Sequence, residues 1–415
     1  MKKIRFQYPV ETDISAITAG DEMSLAEYIE RNTSTGASYS GKLPIVKPED
    51  FAGNTIAQKV IAANEFILNA GGGYELHFED TATYLITQSI VLPSNTIVSM
   101  KGCVIQMADN TIDNIFRTAN IEIDPDNPYG FAKNKTSMDS VTNIRIVGED
   151  NASLLMCNNA NADHYGVTKT GWRGHTILMA GCSNFEISGF KINKNIAWGI
   201  CLSGCSYGSV HDIEYNTTRE NGDGIDIEFG SHHIDVYNLS GSTADDTVAV
   251  SNSGPTRLEM RPVERTRPTC PFDYGWRKFG EDTHDIHIWN VNTKSTYHNV
   301  IFICGDYGIY NVSASDISDN NGTNSGCVAT VKVYGGQYDG NYHNGLIHNC
   351  SISNVKSYNP STAAVFLSEG IIENGRINNV QVASGKTLLN DQSGATWADY
   401  NFTITNTGTI ECTIE

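Results

Sequence analysis

The sequence predicts an all-β protein, a right-handed parallel β-helix (a solenoid) with an N-terminal capping helix. A short motif recurs along the chain, in which apolar and polar residues alternate around Ile or Val and an Asn, Ser or Gly ends the segment. Such alternation predicts short strands with one buried face. Several copies recur at nearly equal intervals, within the range of periods that solenoid repeats have. Because strands this short cannot bury a face alone, we expect successive coils to stack around one core.

The repeated motif also carries asparagines near its strand ends. The clearest copies are Asn184–Phe190, His233–Leu239, Asp285–Val291, Gly308–Val312, Leu346–Cys350 and Ile371–Ile377. If these copies stack in register, the asparagines of successive coils lie above one another. We therefore expect ladders of stacked amide side chains along the outside of the β-helix.

The beginning of the β-helix is marked by Ile56–Leu68, which has apolar residues at helical spacing and stops before a run of three glycines. A helix at this place can cover the open edge of the first coil. Residues 1–52 lack the repeat, so we predict an N-terminal extension there and a β-helix domain over residues 53–415. The first strands are predicted at Tyr74–Phe78, Thr83–Ile86 and Ser89–Leu92.

The charge balance limits the partners of this chain. Its 415 residues carry a formal net charge of −19, from 28 basic and 47 acidic residues. We expect no nucleic-acid partner, which would need a basic face, and no membrane partner, because no apolar run is long enough to span a bilayer. The basic start at Met1 is not followed by an apolar stretch, so no signal peptide is predicted in this numbering. Secretion after processing, a place on a virion and a cytoplasmic location all stay open.

The ten cysteines are spread through the chain, unlike those of a small disulfide framework. Cys182 and Cys205 occupy matching Gly-Cys-Ser motifs one repeat apart, which favours a stack of small buried thiols inside the repeat. A disulfide or a metal site is the alternative. Since Cys201 and Cys205 have no second cluster to complete a zinc site, the sequence predicts no metal and no cofactor.

A set of aspartates recurs at nearly the repeat interval. Asp223 lies in an Asn-Gly-Asp-Gly motif, and the pair Asp245-Asp246 follows almost one repeat later. Adjacent parallel strands are about 4.8 Å apart, so residues one coil apart become neighbours. Carboxylates this close cannot all ionise easily, and one of them is expected to hold a proton near neutral pH. A protonated acid beside an ionised carboxylate is the pair that general acid–base catalysis needs.

With these motifs the chain resembles the polygalacturonase family of glycoside hydrolases (family 28) over residues 55–380. That family has an Asn-Thr-Asp element, matched here by Asn221-Gly222-Asp223, and an Asp-Asp pair, matched by Asp245-Asp246. Its Gly-His-Gly element keeps only His298, and its Arg-Ile-Lys element keeps Lys332 without the arginine. The resemblance implies the fold predicted above and a cleft in which all four elements lie on successive coils.

The resemblance also implies roles for these residues. Asp245 is expected to be the general acid of an inverting hydrolysis, with Asp223 and Asp246 holding the water. His298 would hydrogen-bond or tune the acid. Lys332 would bind a substrate hydroxyl or carboxylate, and Asn221 is also placed among the substrate-binding residues.

The segment between the aspartate pair and His298 is a long insertion that is rich in arginine. Arg265 and Arg267 suit a carboxylate ligand because a guanidinium forms paired hydrogen bonds, and Trp276 can stack on a sugar ring. The hypothesis is that this insertion supplies the cationic contact missing from the fourth element. The alternative is a surface loop with local ion pairs.

The sequence therefore predicts a glycoside hydrolase that cleaves a polysaccharide or oligosaccharide, with galacturonan or pectin as the first substrate to test. Two alternatives stay open. One is a polysaccharide lyase on the same fold, and the other is a phage tailspike or adhesin that binds a surface glycan. The expected partner is a carbohydrate, anionic or neutral, and both a monomer and a trimer are compatible with the sequence.

Overall fold

A computed structural model describes most of the chain. The described residues are 42–79, 82–124, 127–131, 140–157, 162–163, 168–169, 171–252, 282–320, 326–335, 346–368, 372–392, 403–405 and 408–410. The chain divides into two compact units, Met1–Pro44 and Ile45–Glu415. Only residues 42–44 of the first unit are described, and the second unit contains the β-helix.

The described residues form short strands and one α-helix. The helices are the 3-10 turn Pro48–Asp50, α1 (Ile56–Ala70) and the 3-10 turn Gly171–Gly174. The strands are β1 Ile45–Val46, β2 Tyr74–Phe78, β3 Thr83–Ile86, β4 Ile90–Leu92, β5 Thr96–Lys101, β6 Val104–Met107, β7 Phe116–Thr118, β8 Ile123–Asp124, β9 Asn127–Phe131, β10 Val141–Glu149, β11 Ser153–Leu155, β12 Ala162–Asp163, β13 Thr168–Lys169, β14 Ile177–Ala180, β15 Cys182–Ser188, β16 Lys191–Asn193, β17 Ile200–Ser203, β18 Ser206–Asn216, β19 Ile225–Glu228, β20 His232–Thr243, β21 Val248–Asn252, β22 Thr283–Ser295, β23 His298–Cys304, β24 Ile309–Asp319, β25 Ala329–Tyr334, β26 Ile347–Ser357, β27 Ala363–Ser368, β28 Ile372–Glu373, β29 Arg376–Ala383, β30 Leu389–Asp391, β31 Thr403–Thr405 and β32 Gly408–Ile410.

Two long parallel sheets form the walls of the β-helix. One contains β4, β7, β14, β17, β19, β21, β23, β25, β27 and β30 in spatial order, and we call it the site sheet. The other, the ladder sheet, contains the long strands β18, β20, β22, β24 and β26, which pair in parallel with one another in that order. The chain alternates between the two sheets, so each turn adds one strand to both. The predicted right-handed parallel β-helix is confirmed.

The register of the site sheet matches the repeat read from the sequence. Ile177 pairs with Ile200, Ile200 with Ile225 and Ile225 with Val248, so one coil of the structure has the length of one sequence repeat. These four side chains point inward and are fully buried. A continuous column of aliphatic side chains therefore fills the centre of the coil, as stacked repeats require.

The helix α1 covers the first coils, as predicted. It begins after Thr55, whose hydroxyl accepts a hydrogen bond from the Gln58 backbone N–H, while the Gln58 side chain caps the Thr55 N–H in return. It ends at Gly71, whose φ of 75° is in the left-handed region that favours glycine. The predicted strands that follow are also present, with the third starting at Ile90. An earlier strand, β1, pairs with β2, although the repeat pattern places its residues in the N-terminal extension.

The ladder sheet carries two rows of stacked amides, as expected. In one row Asn349 donates to the Asn311 side chain at 2.9 Å, and Asn374 donates to Asn349 at 3.3 Å. In the other, Asn290 donates to Asn238 at 2.7 Å and Asn379 to Asn354 at 2.8 Å. All of these residues have φ between 50° and 56°, a conformation that asparagine tolerates better than most residues.

The cysteines follow the buried-thiol prediction. Eight lie within the described residues, and all eight are buried and free of disulfides. Cys182 and Cys205 are both fully buried, and burial raises the pKa of each thiol. No helix in the described part of the chain is long and apolar enough to cross a membrane.

Candidate active site

The aspartates and the histidine singled out by sequence lie on adjacent coils at one edge of the site sheet. Asp223 precedes the inward-facing Ile225 of β19 by two residues, and Asp246 precedes Val248 of β21 by two. His298 stands in the matching place on β23. Backbone hydrogen bonds fix this stack, because the Gly224 N–H donates to the Asp246 carbonyl at 2.9 Å and the Thr247 N–H to the His298 carbonyl at 2.8 Å.

Asp246 and His298 form a direct pair. The His298 Nδ1 lies 2.7 Å from the Asp246 Oδ1, and both side chains are nearly buried. A carboxylate only accepts hydrogen bonds, so the imidazole holds its proton on Nδ1 when Asp246 is ionised. Within the described part of the chain, the buried His298 Nε2 has no hydrogen-bond partner. Asp246 is thus the site carboxylate with a dedicated donor, and His298 keeps one ring nitrogen for a further contact.

Asp223 and Asp226 form a second pair, in which the charge of each carboxyl group bears on its neighbours in the acidic cluster. Burial raises the pKa of both groups well above the ordinary range. The charge of Asp226 adds to the rise at Asp223, and the charge of Glu228 adds to the rise at Asp226. Both shifts favour the protonated forms of these two carboxyls. The role of Asp223 in holding the water stays a prediction.

Asp245 is placed differently from its neighbour Asp246. Its side chain is only half-buried, whereas that of Asp246 is 5% exposed. Burial, reinforced by the charge of Asp246, raises the pKa of Asp245 to about 8, although backbone N–H groups of Asp246 and Asn221 oppose the shift. Asp245 is thus protonated near neutral pH and accessible from solvent, which are the two requirements for a general acid. The predicted substrate-binding role of Asn221 stays a prediction.

Two acidic residues at the site were missed by sequence reasoning. Asp226 and Glu228 lie on β19 and are 3% and 1% exposed. Both alternate with the inward-facing Ile225 and Ile227, so they project from the outer surface of the strand. The alternating Ile-Asp-Ile-Glu segment was the available signal, because period-two alternation puts both acids on one face. With them, the acidic cluster extends from the strand edge along β19.

Lys332 lies on the same outer surface, further along the stack. Asp226 pairs with Ala249, Ala249 with Ile301 and Ile301 with Lys332. Three strand spacings correspond to about 14 Å, so Lys332 is near the acidic cluster without being inside it. Its ammonium lies 4.6 Å from the ring centre of Tyr334 and 5.2 Å from that of Phe366. Both rings attract the ammonium through cation–π contacts.

An aromatic side chain lies at the same edge of the site sheet, one coil before Asp223. The Gly199 N–H donates to the Asp223 carbonyl, which places Trp198 directly below Asp223 in the stack. Trp198 is 5% exposed and stacks on His175 with ring centres 4.6 Å apart. The predicted site residues Arg265, Arg267 and Trp276 lie outside the described residues.

Taken together, the cluster can perform acid–base chemistry. Asp245 can donate a proton, Asp246 with its histidine donor can accept one, and Asp223 with Asp226 can hold a polar group between them. Within the described residues, the buried Asp223 Oδ1 and Asp226 Oδ2 have no hydrogen-bond partner. Unpaired polar atoms in a buried site are costly unless a ligand satisfies them. The cluster therefore has buried carboxyl oxygens with which a polar ligand could form hydrogen bonds.

Comparison with known proteins supports the fold, and the activity has to be inferred from the residues of the site. No family model and no curated protein matches the sequence. An exopolygalacturonase from Thermotoga maritima matches with a TM-score of 0.59 and 14% identity, over 93% of this chain and 96% of that chain. The polygalacturonase of Erwinia carotovora ssp. carotovora matches with a TM-score of 0.55 and 14% identity, over 90% and 95%.

A third match comes from a different class of protein. The tailspike of E. coli bacteriophage HK620, solved in complex with a hexasaccharide, matches with a TM-score of 0.52 and 11% identity, over 87% of this chain and 64% of that chain. This chain therefore has the parallel β-helix fold and resembles the polygalacturonases in structure. The same fold serves hydrolases and a tailspike, so the function must be argued from the site.

Proposed function

We propose that this protein is a glycoside hydrolase that cleaves a polysaccharide or oligosaccharide by an inverting, two-carboxylate mechanism. Asp245 donates its proton to the glycosidic oxygen of the leaving sugar. Asp246, held by His298, takes a proton from the attacking water, while Asp223 and Asp226 hold that water in place. The glycosidic bond breaks as the water oxygen bonds to the anomeric carbon, and the sugar configuration inverts.

One observation carries this proposal. Two neighbouring carboxyls, Asp245 and Asp246, differ in environment, because one is half-exposed with a pKa of about 8 and the other is buried against a histidine donor. Carboxyls whose environments differ in this way divide into an acid and a base. The likeness in fold to polygalacturonases is consistent with this assignment.

The first substrate to test is a galacturonan. Lys332, beside Tyr334 and Phe366, offers one cation and two aromatic faces near the acidic cluster. A uronic acid needs both a cation for its carboxylate and an apolar face for its ring. If Arg265, Arg267 and Trp276 reach the cleft, they would add further contacts of the same kind.

The decisive experiment is an assay of reducing-end release over a panel of uronic and neutral glycans. The native chain should release reducing ends from at least one of them. Asp245→Asn removes the proton donor and keeps the shape, so we expect the rate to fall by about 10²–10⁴-fold, the usual contribution of a general acid.

The matched control is Asp316→Asn, an exposed position on the ladder sheet where Asn354 donates to the carboxylate and where asparagine fills the equivalent rungs. Its activity should equal that of the native chain. Full activity in Asp245→Asn would reject the assigned acid. Ultraviolet absorption by an unsaturated product would instead identify a lyase.

A second candidate function is supported by the tailspike match, because that protein holds a hexasaccharide on the same fold. In that case the cleft binds a surface glycan and hydrolysis is slow or absent. Saturable glycan binding without product release would favour this alternative, and a trimer in sedimentation would agree with it.

A further inference from the structure

One of the two amide ladders is interrupted at a single place. Along the stack, this row has Asn143 and Asn184 on the earlier coils and Asn311 and Asn349 on the later coils. On the coils between them, the same position is occupied by Tyr207, His233 and Asp285, which have the same left-handed backbone conformation with φ of 52° to 55°. The backbone is therefore unchanged at this place, and only the side chains have changed from amides to imidazole, phenol and carboxylate.

The residues one position before the interrupted row include two histidines whose rings stack on each other. His232 on β20 and His284 on β22 pair with each other across the two strands, and their rings are parallel with centres 4.8 Å apart. The stack continues from His284 to Tyr310 at 4.6 Å. Four residues with ligand atoms, His232, His233, His284 and Asp285, thus meet on two adjacent coils of the ladder sheet.

The ligand atoms converge on a small volume. The His233 Nε2 lies 3.6 Å from the Asp285 Oδ2, and the His284 Nδ1 lies 2.7 Å from the same oxygen. One ligand atom from each of His233, His284 and Asp285 lies within 4.8 Å of the others. Ligands of a tetrahedral zinc lie at about 2.0–2.2 Å from the metal and therefore about 3.3 Å from one another. Small side-chain rotations are enough to reach that geometry.

We infer that His233, His284 and Asp285 form a binding site for a divalent transition metal, with His232 as the supporting group. The His232 Nδ1 lies 2.8 Å from the His233 Nδ1. A hydrogen bond at that nitrogen fixes the second ring and directs the His233 Nε2 toward Asp285, as outer-shell partners of metal-bound histidines do. Such a metal would connect two adjacent coils.

The donor set selects the class of metal. Two imidazoles and one carboxylate suit zinc, nickel or copper, whereas calcium and magnesium prefer oxygen ligands throughout. The site is open to solvent, since His233 is exposed and the other two ligands are half-buried, so water can complete the coordination. The sequence did not predict this site, because the ligands come together only through the register of β20 with β22.

The test uses the full chain after treatment with chelator, titrated with zinc chloride in a calorimeter. One zinc ion per chain should bind, and the melting temperature should rise with zinc concentration because the ion binds only the folded coils. Calcium chloride should give no heat of binding and should not compete. This readout does not depend on glycoside hydrolysis, so it stands or falls separately from the proposed function.

The variant His233→Asn with Asp285→Asn restores the amide ladder and removes two ligands. Since asparagine fills the same backbone position on neighbouring coils, the variant should fold, which circular dichroism can verify. Its zinc affinity should fall by about 100-fold or more, since loss of an outer-shell partner alone costs about 10–100-fold.

The control is His211→Asn, which removes an imidazole that is paired with Asp212 elsewhere on the ladder sheet. It should bind zinc like the native chain. The inference is wrong if the native chain shows no saturable zinc binding, if the double variant keeps the native affinity, or if calcium binds equally well.

Discussion

The protonation of Asp245 is the property on which the proposed chemistry depends. Its pKa of about 8 arises mainly from burial and secondly from the charge of Asp246. A general acid works only while protonated, so kcat/KM should fall as the pH rises through about 8. The measurement is a pH profile of kcat/KM on whichever glycan the panel identifies.

The control for this pH profile is the slow reaction of Asp245→Asn, which cannot titrate at this position and should lose the fall at high pH. An unchanged high-pH limb in that variant would mean that another group is the acid. Asp223 and Asp226, whose pKa values are both raised, would then be the next pair to substitute.

The residues of the site were only partly predictable from sequence. Asp223 and Asp246 could be predicted because backbone stacking follows from the repeat interval, and His298 could be predicted from its resemblance to the third element of the polygalacturonase pattern. Asp226 escaped because an Asp within a short strand reads as an ordinary polar outer residue. Its importance depends on burial and on the approach of Glu228 and Asp223, and neither of these is visible in a one-dimensional pattern.

At the scale of elements, the amide ladders are expected to contribute measurable stability. Asn349 both donates to Asn311 and accepts from Asn374, and its φ is 53°. Asn349→Ala removes both hydrogen bonds and places an alanine in the left-handed region, so we expect a loss of about 1–3 kcal/mol in the free energy of unfolding. Urea denaturation followed by circular dichroism measures this loss.

The variant Asn349→Gly separates the two causes, because glycine adopts a positive φ without strain but cannot make the hydrogen bonds. It should be more stable than Asn349→Ala. Equal stability of the two would show that backbone strain contributes little at this rung.

The elements themselves were largely predictable. The helix α1, the first strands and the coil interval follow from apolar periodicity and from glycine and asparagine at strand ends. The ladder interruption could not be predicted as a cluster, because His233 and Asp285 are separated in sequence by more than two ordinary repeats. The register of β20 with β22 shows that the intervening residues add no coil between them.

At the scale of the whole molecule, the acidic cluster should make stability depend on pH. Asp223, Asp226 and Asp245 have folded pKa values above their unfolded values, so the folded state binds more protons than the unfolded state across that interval. The free energy of unfolding must then fall as the pH rises. The fall begins at a pH of about 4, where the carboxyls of the unfolded chain titrate, and ends at the pKa values of the folded state. Thermal unfolding from pH 4 to 8 should show a decline to which these groups contribute.

The double variant Asp223→Asn with Asp226→Asn removes two of the groups that contribute to this decline. It should be more stable than the native chain at pH 8 and should lose less stability between pH 4 and 8. An identical pH dependence in both chains would mean that the two carboxyls titrate normally. Functional sites commonly destabilise the fold that contains them.

The first coil of the β-helix is closed by an amide. Asn64, on α1, donates to the Val91 carbonyl at 2.8 Å and accepts from the Val91 N–H at 2.9 Å, so one side chain imitates the neighbouring strand that β4 lacks. An extra rung cannot be added where those backbone groups are already occupied, neither by a second molecule nor by a duplicated repeat. Over evolutionary time, a gain or loss of coils is therefore easier in the middle of the stack than at this terminus.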